Sequence, residues 1–494
     1  MTDLVRKSAR ELRVLIGRGK LSPVELVDAC LERIDQLDPV LNAVVALDRD
    51  GAREAAKRAE GAVVRGEALG PLHGLPVLIK DLVQTRGLVT TRGSLVYRDH
   101  VPEADDLVAA RIRAAGAIIL GKTNTPEFGA GSNTVNRVYG ATVNPFDPTL
   151  SAAGSSGGAA VALACDMAPL ATGSDMGGSV RTPSSFCGVV GHRPSSGLVP
   201  RPTRKSGWST LSVDGPMARD VTDACLLLAA MSGGDLRDPL SREADRAGFL
   251  ALPTTDPATL RVAFTEDIGC APVAGDVRAA FRDKVERIAP LFARGEWTHP
   301  DMGPVHETFE TLRGVDFIEA YGNHVEQHRA RSCWPVVTNV ESARAITVDA
   351  VARALVEQTT LYHRMQDFFA DFDLLICPSA SVVPFPVENV AVTEIDGEAM
   401  ATYITWIAIT YALTLTTHPV TVIPCGLGPT GLPFGLQLAG PARGDLKTLA
   451  AAAAIEAALA GEPNLSRPRP DIPALLAGRN RSKAGLVPEG LAAG

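Results

Sequence analysis

Gly173-Ser-Asp-Met-Gly-Gly-Ser179-Val-Arg181 places one serine hydroxyl directly after a run of small residues. The glycines let backbone N–H groups of Met176, Gly177, Gly178 and Ser179 converge on one point, where a developing oxyanion needs donors. That is equipment for acyl transfer. Upstream lies a second serine loop, Gly154-Ser155-Ser156-Gly157-Gly158, followed by the helical pattern Ala159-Ala-Val-Ala-Leu-Ala164. Further upstream the apolar run Leu75-Pro-Val-Leu-Ile79, bounded by Gly74, reads as a buried central strand that ends at Lys80. An unassisted serine attacks an amide poorly, so a base has to take its proton. Lysine serves only when neutral, and burial lowers its pKa from about 10.4. Asp81 is adjacent, but successive strand side chains point to opposite faces, so Asp81 is expected to face away from Lys80.

Working outward, Ser22-Pro23-Val24-Glu25 reads as a capped helix start with proline at the first helical position. Residues 51 to 64 and about 105 to 115 are also expected as helices, the latter leading into a strand Ala117-Ile-Ile-Leu120. This alternation predicts an α/β protein with a central sheet covered by helices on both faces. Residues 245 to 370 carry amphipathic stretches at 276 to 293 and 341 to 369 and are expected as a mainly helical region covering the site. Buried strands are expected at Asp371–Pro378 and Pro419–Ile423, and residues 464 to 494 as a surface appendage.

With 46% hydrophobic and 21% charged residues the composition is that of a globular enzyme, read as one domain over 1–494 with a signature core at 65–240. A net charge of −8 argues against nucleic acid as partner, because phosphate binding draws on clustered cations. Residues 400 to 442 contain no Lys, Arg, Asp or Glu, yet threonines keep their apolar runs below the roughly 20 residues of a membrane span. A buried core helix is expected there, and no membrane partner. Eight scattered cysteines show no C-x-x-C pair, and the charged N-terminus lacks the apolar core of a signal peptide. A reducing, cytoplasmic setting follows, with no metal and no cofactor called for.

Together the two serine loops and Lys80 resemble the amidase signature family, whose members use a Ser-cisSer-Lys triad. The resemblance extends through Leu120-Gly-Lys-Thr-Asn-Thr-Pro-Glu127, Tyr139-Gly-Ala-Thr-Val-Asn144-Pro145, Asp373-Leu-Leu-Ile-Cys-Pro378 and Gly431-Leu-Pro-Phe-Gly-Leu-Gln437. It implies the amidase signature fold with a mixed sheet, Ser179 as nucleophile, Ser155 as the serine with a cis peptide bond, and Lys80 as base. It implies Asp175 and Arg181 as braces of the nucleophile loop, with Ser156 supporting. Ala152-Ala153-Gly154 and Ser174 depart from the usual Pro-Gly-Gly and Thr. The implied activity is hydrolysis of a small-molecule amide, anilide, carbamate or ester through an acyl-enzyme. The resemblance also allows the glutaminase component of a glutamyl-tRNA amidotransferase, and a homodimer is left open. The pocket is expected near 128 to 136, around Trp406 to Tyr411, and at Phe317, Tyr321 and Trp334.

Rival patterns are present. Gly116-Ala-Ile-Ile-Leu-Gly121-Lys122-Thr123 fits G-x-x-x-x-G-K-[ST], but Ala-Ile-Ile-Leu between its glycines reads as strand rather than phosphate loop. Cys187 or Cys425 with His192 or His418 would make a Cys-His pair, though Cys187 lies among Phe186, Val189 and Val190. His324 and His328 have i, i+4 spacing but no third ligand.

Overall fold

The computed structural model describes residues 4–492. Its centre is an eleven-stranded mixed sheet. In chain order the strands are β1 (Val44–Leu47), β2 (Pro76–Lys80), β3 (Ile118–Thr123), β4 (Leu170–Asp175), β5 (Val190–Arg193), β6 (Val213–Ala218), β7 (Arg261–Phe264), β8 (Arg294–Trp297), β9 (Leu374–Pro378), β10 (Val420–Leu427) and β11 (Pro433–Ala439). Their spatial order is β1-β3-β2-β4-β6-β5-β10-β11-β9-β7-β8. β2 runs parallel to both β3 and β4, while β6, β5, β10 and β11 pair antiparallel in the middle. Strands β2 and β4 are buried along their whole length, as a sheet covered by helices demands.

The expected helices form at Pro23–Leu41, Arg49–Val64 and Leu107–Ala114. Ser22 Oγ accepts from the amides of Val24 (3.0 Å) and Glu25 (3.5 Å), satisfying orphan donors of the first turn. Gly157–Ala164 is a helix buried on all sides and packs on β2, β4 and β6. The phosphate-loop look-alike is the buried strand β3, and Lys122 Nζ is bound to the Val83 carbonyl and Thr85 Oγ1. Residues 400 to 442 hold the short helix Ala408–Leu415 and strands β10 and β11. Among the described residues no helix is long and apolar enough to cross a membrane.

Residues 245 to 370 are mainly helical, as expected, but do more than cover the sheet. They contain the helices Gly275–Ile288, Val305–His328, Trp334–Ala343 and Val348–Asp371, but also β7 and β8, which extend the sheet at its far edge. The stretch 341 to 369 is two helices, the second opened by Thr347, whose side chain accepts from Ala350 N. A small apolar cluster of Phe128, Ala130, Phe317, Val325, Val336, Val337 and Val340 joins this cap to the body, with Met176 and Tyr321 packed against it. The tail lies along the surface and is tied to it. Ala141 and Gly485–Leu486 exchange backbone bonds of 2.8 and 2.9 Å, and Trp334 N donates to Leu491 O at 3.0 Å.

Candidate active site

Lys80 is the last residue of β2, and its backbone amide donates to Thr172 Oγ1 on β4 at 3.1 Å. Its side chain is wholly buried. The Nζ atom lies 2.7 Å from Ser155 Oγ, 2.8 Å from Ser156 Oγ and 3.0 Å from Ser174 Oγ. Lys80 makes no ion pair among the described residues. Burial lowers its pKa to about 7 against the more distant pull of Asp214 and Asp175. Asp81 points the other way, as alternation requires: Thr91 donates to Asp81 Oδ2 through its hydroxyl at 2.6 Å, and Lys122 lies 4.0 Å from Oδ1.

The Gly154–Ser155 peptide bond is cis. The loop then enters the helix Gly157–Ala164, where a Cβ on Gly158 would stand 2.4 Å from Asn124 N, so only glycine fits. Ser156 is more than a support. Its hydroxyl contacts the lysine amine directly, and its amide donates to Ser179 O at 3.0 Å, tying the two serine loops together. Ser179 is partly exposed and shares a chamber wall with Ser155, Ser174 and Met176. Among the described residues no hydrogen bond joins the Ser155 and Ser179 hydroxyls.

Asp175 sits at the end of β4 under the 176–180 loop. Its carboxylate accepts from Gly178 N (3.1 Å) and Val180 N (3.0 Å), and from Arg181 Nε (3.0 Å) and Nη2 (2.8 Å). Burial opposes its charge, but Arg181 and Arg193 outweigh it and hold the carboxyl well below the usual range. Arg181 is fully buried and its remaining donors reach Thr410 O, Gln437 Oε1 and Thr414 Oγ1. The Gly178 amide, expected as an oxyanion donor, is therefore occupied by Asp175. The amides of Met176, Gly177 and Ser179 have no protein acceptor among the described residues. Gly178 adopts φ +113, and a Cβ there would lie 2.3 Å from Thr410 Oγ1.

The chamber has a volume of about 480 Å³. One side is aromatic: Phe128 stacks on Tyr321 with centroids 4.6 Å apart, Phe317 meets Tyr321 at 5.4 Å, and Tyr97 meets Phe128 at 6.1 Å. Another side is the polar segment Arg201–Ser206, two residues before the exposed Trp208. Of the expected pocket residues, Phe128, Gly129, Phe317 and Tyr321 line it. Asn133 instead holds the carbonyls of Val387 and Asn389, and Trp334 packs on Tyr403. Trp406 and Tyr411 are core. Their segment braces the loop from behind, with Thr410 Oγ1 2.6 Å from Gly177 O.

Sequence reasoning missed Arg193, whose Nη1 donates to Asp175 O at 2.6 Å, and the Ser174 and Thr172 hydroxyls around Lys80. The rival sites are otherwise engaged. His192 is bound to Thr421 and Asp445 rather than Cys187, and His324 packs against Tyr97 and Phe128.

The family model for Amidase matches residues 25–449. The chain belongs to the amidase signature family. This amidase is 34% identical over 452 residues to an acylamidase of Rhodococcus erythropolis, covering 91% of this chain and 95% of that one. It is also 34% identical to a glutamyl-tRNA(Gln) amidotransferase component of Acidothermus cellulolyticus, over 93% of this chain and 95% of the relative. Among solved structures, a bacterial aryl acylamidase of the amidase signature family superposes with a TM-score of 0.87 at 29% identity, covering 96% of this chain and 98% of that one. The amidase is thus a hydrolase acting on amide C–N bonds.

Proposed function

We propose that this amidase cleaves small-molecule aryl amides through an acyl-enzyme on Ser179. The observation that carries the reading is the buried Lys80 amine, which has no ion pair among the described residues and lies 2.7 Å from a serine hydroxyl that opens onto the same chamber as Ser179. Neutral Lys80 takes the Ser155 proton as Ser155 Oγ takes that of Ser179, and Ser179 Oγ bonds to the amide carbon. The oxyanion lies against the free amides of Met176, Gly177 and Ser179, where one donor is worth about 3 kcal/mol of barrier. As the C–N bond breaks, the relay runs backward and protonates the departing nitrogen. Water then cleaves the acyl ester by the same route. The aromatic wall supports an aryl group, and the structural relative is itself an aryl acylamidase.

The test is a panel of anilides, aliphatic amides and free glutamine, with fluorophosphonate labelling mapped by mass spectrometry. Anilide turnover and labelling on Ser179 are expected, with Ser179→Ala losing activity by about four orders of magnitude or more while keeping its melting temperature. Residual rates near wild type refute the assignment. The likeness to the amidotransferase component supports a second reading, a glutaminase. Glutamine hydrolysis that needs added partner proteins, with no anilide turnover, would establish it instead.

A further inference from the structure

Arg92 lines the chamber beside its aromatic wall: Phe128 N donates to Arg92 O at 2.8 Å, and the guanidinium lies 5.4 Å from the centre of the Tyr97 ring. Its Nε is sealed from solvent and has no hydrogen-bond partner, and the residue makes no ion pair among those described. The other cations of the chamber differ. Arg201 is paired with Asp214 at 3.3 Å, Arg204 faces Asp238 at 3.6 Å, and Lys205 is exposed to water. Asp106 also lines the chamber but accepts from Gln84 N at 2.8 Å and forms no ion pair with Arg92.

The backbone fixes where this charge points. Arg92 adopts φ +55, a left-handed conformation that non-glycine residues seldom hold. The turn is tied on both sides, by Thr91 to Asp81 Oδ2 and by Gly93 N to Thr91 Oγ1 at 3.1 Å. Nε is closed off, so an acceptor entering the chamber reaches the guanidinium through its terminal N–H groups, which have no protein partner among the described residues. Stacking on Tyr97 satisfies the ring face but none of the N–H groups. A planar fork of donors matches a carboxylate in two parallel hydrogen bonds.

We propose that Arg92 is a specificity-determining residue that receives a carboxylate carried on the aryl portion of the substrate. This rests on the aryl-amide reading above. A ring laid against Phe128 and Tyr321 brings its substituent to Arg92, so benzoate-like amides are taken in preference to neutral ones.

Two measurements test it. Calorimetry on Ser179→Ala protein with benzoate and benzamide as probes needs no turnover. Benzoate is expected to bind at least about 10-fold more tightly, with Arg92→Met abolishing the preference and Arg92→Lys retaining part of it. In kinetics, the ratio of kcat/KM for 4-acetamidobenzoate over acetanilide is expected to fall about 10- to 100-fold in Arg92→Met. Equal benzoate and benzamide binding, or a preference unchanged by Arg92→Met and by Arg92→Gln, overturns the proposal. If the wild type hydrolyses neither anilide, the aryl-amide reading falls, and the calorimetric preference still decides Arg92.

Discussion

Lys80 carries the sharpest expectation at the scale of single residues. Its chemistry requires the neutral amine, and the neutral fraction grows as pH rises through about 7. Wild-type kcat/KM should therefore climb between pH 6 and 8. Lys80→Ala should lose activity severely at neutral pH and recover in part as hydroxide replaces the base; a variant insensitive to pH argues against the proton role. Stability follows the same group with a definite sign. Unfolded Lys80 keeps its proton to about 10.5, the folded one only to about 7, so between those values the unfolded state binds more protons and stability rises with pH. Lys80→Met should accordingly stabilise the fold most below pH 7, with the gain over wild type shrinking toward pH 10. Thermal melts of both proteins at pH 6 and 9.5 measure it. The lysine was legible from an apolar strand ending in a cation. Ser174 and Thr172 were not, because what brings their hydroxyls to Lys80 is the β2–β4 pairing rather than sequence spacing.

Elements were readable where their signals are local. Ser22-Pro23 marks a helix start by its own chemistry, and β2 announces itself as a short apolar run behind Gly74, whereas β4, whose second half reads as the nucleophile loop, does not. Strands β7 and β8 escaped notice because each has four residues, and β8 is largely exposed, Arg-Gly-Glu-Trp carrying no apolar alternation. Gly178 shows the same limit in the site. A run of small residues pointed to an oxyanion loop, but which amides stay free depends on Asp175 reaching up from β4 to take one. Gly178→Ala should be strongly destabilising, on the order of 2 to 4 kcal/mol, because φ +113 and the Thr410 contact both oppose a Cβ. Adding Thr410→Ala relieves the contact but not the backbone, so partial recovery of the denaturation midpoint is expected. Full recovery would show that crowding alone matters.

For the molecule as a whole, the division between body and cap decides how the site is closed. The body supplies the amine and the hydroxyls, while Phe317 and Tyr321 of the cap meet Phe128 across a small apolar cluster of their own. That cluster holds few residues, so truncating Phe317 to alanine should raise KM for anilides several-fold with a smaller change in kcat. The tail adds a second tie, since Leu491 O accepts from Trp334 N at the start of a cap helix. Deleting residues 482–494 is expected to raise KM in the same direction; unchanged kinetics would show that the cap stands without it. The segment Arg201–Ser206 ends beside Trp208, which is 77% exposed while Trp406 is only 1% exposed. An indole so placed is a built-in fluorophore: its red-edge emission is accessible to iodide quenching, and a ligand that orders the neighbouring wall should screen it, giving a titration signal without any label.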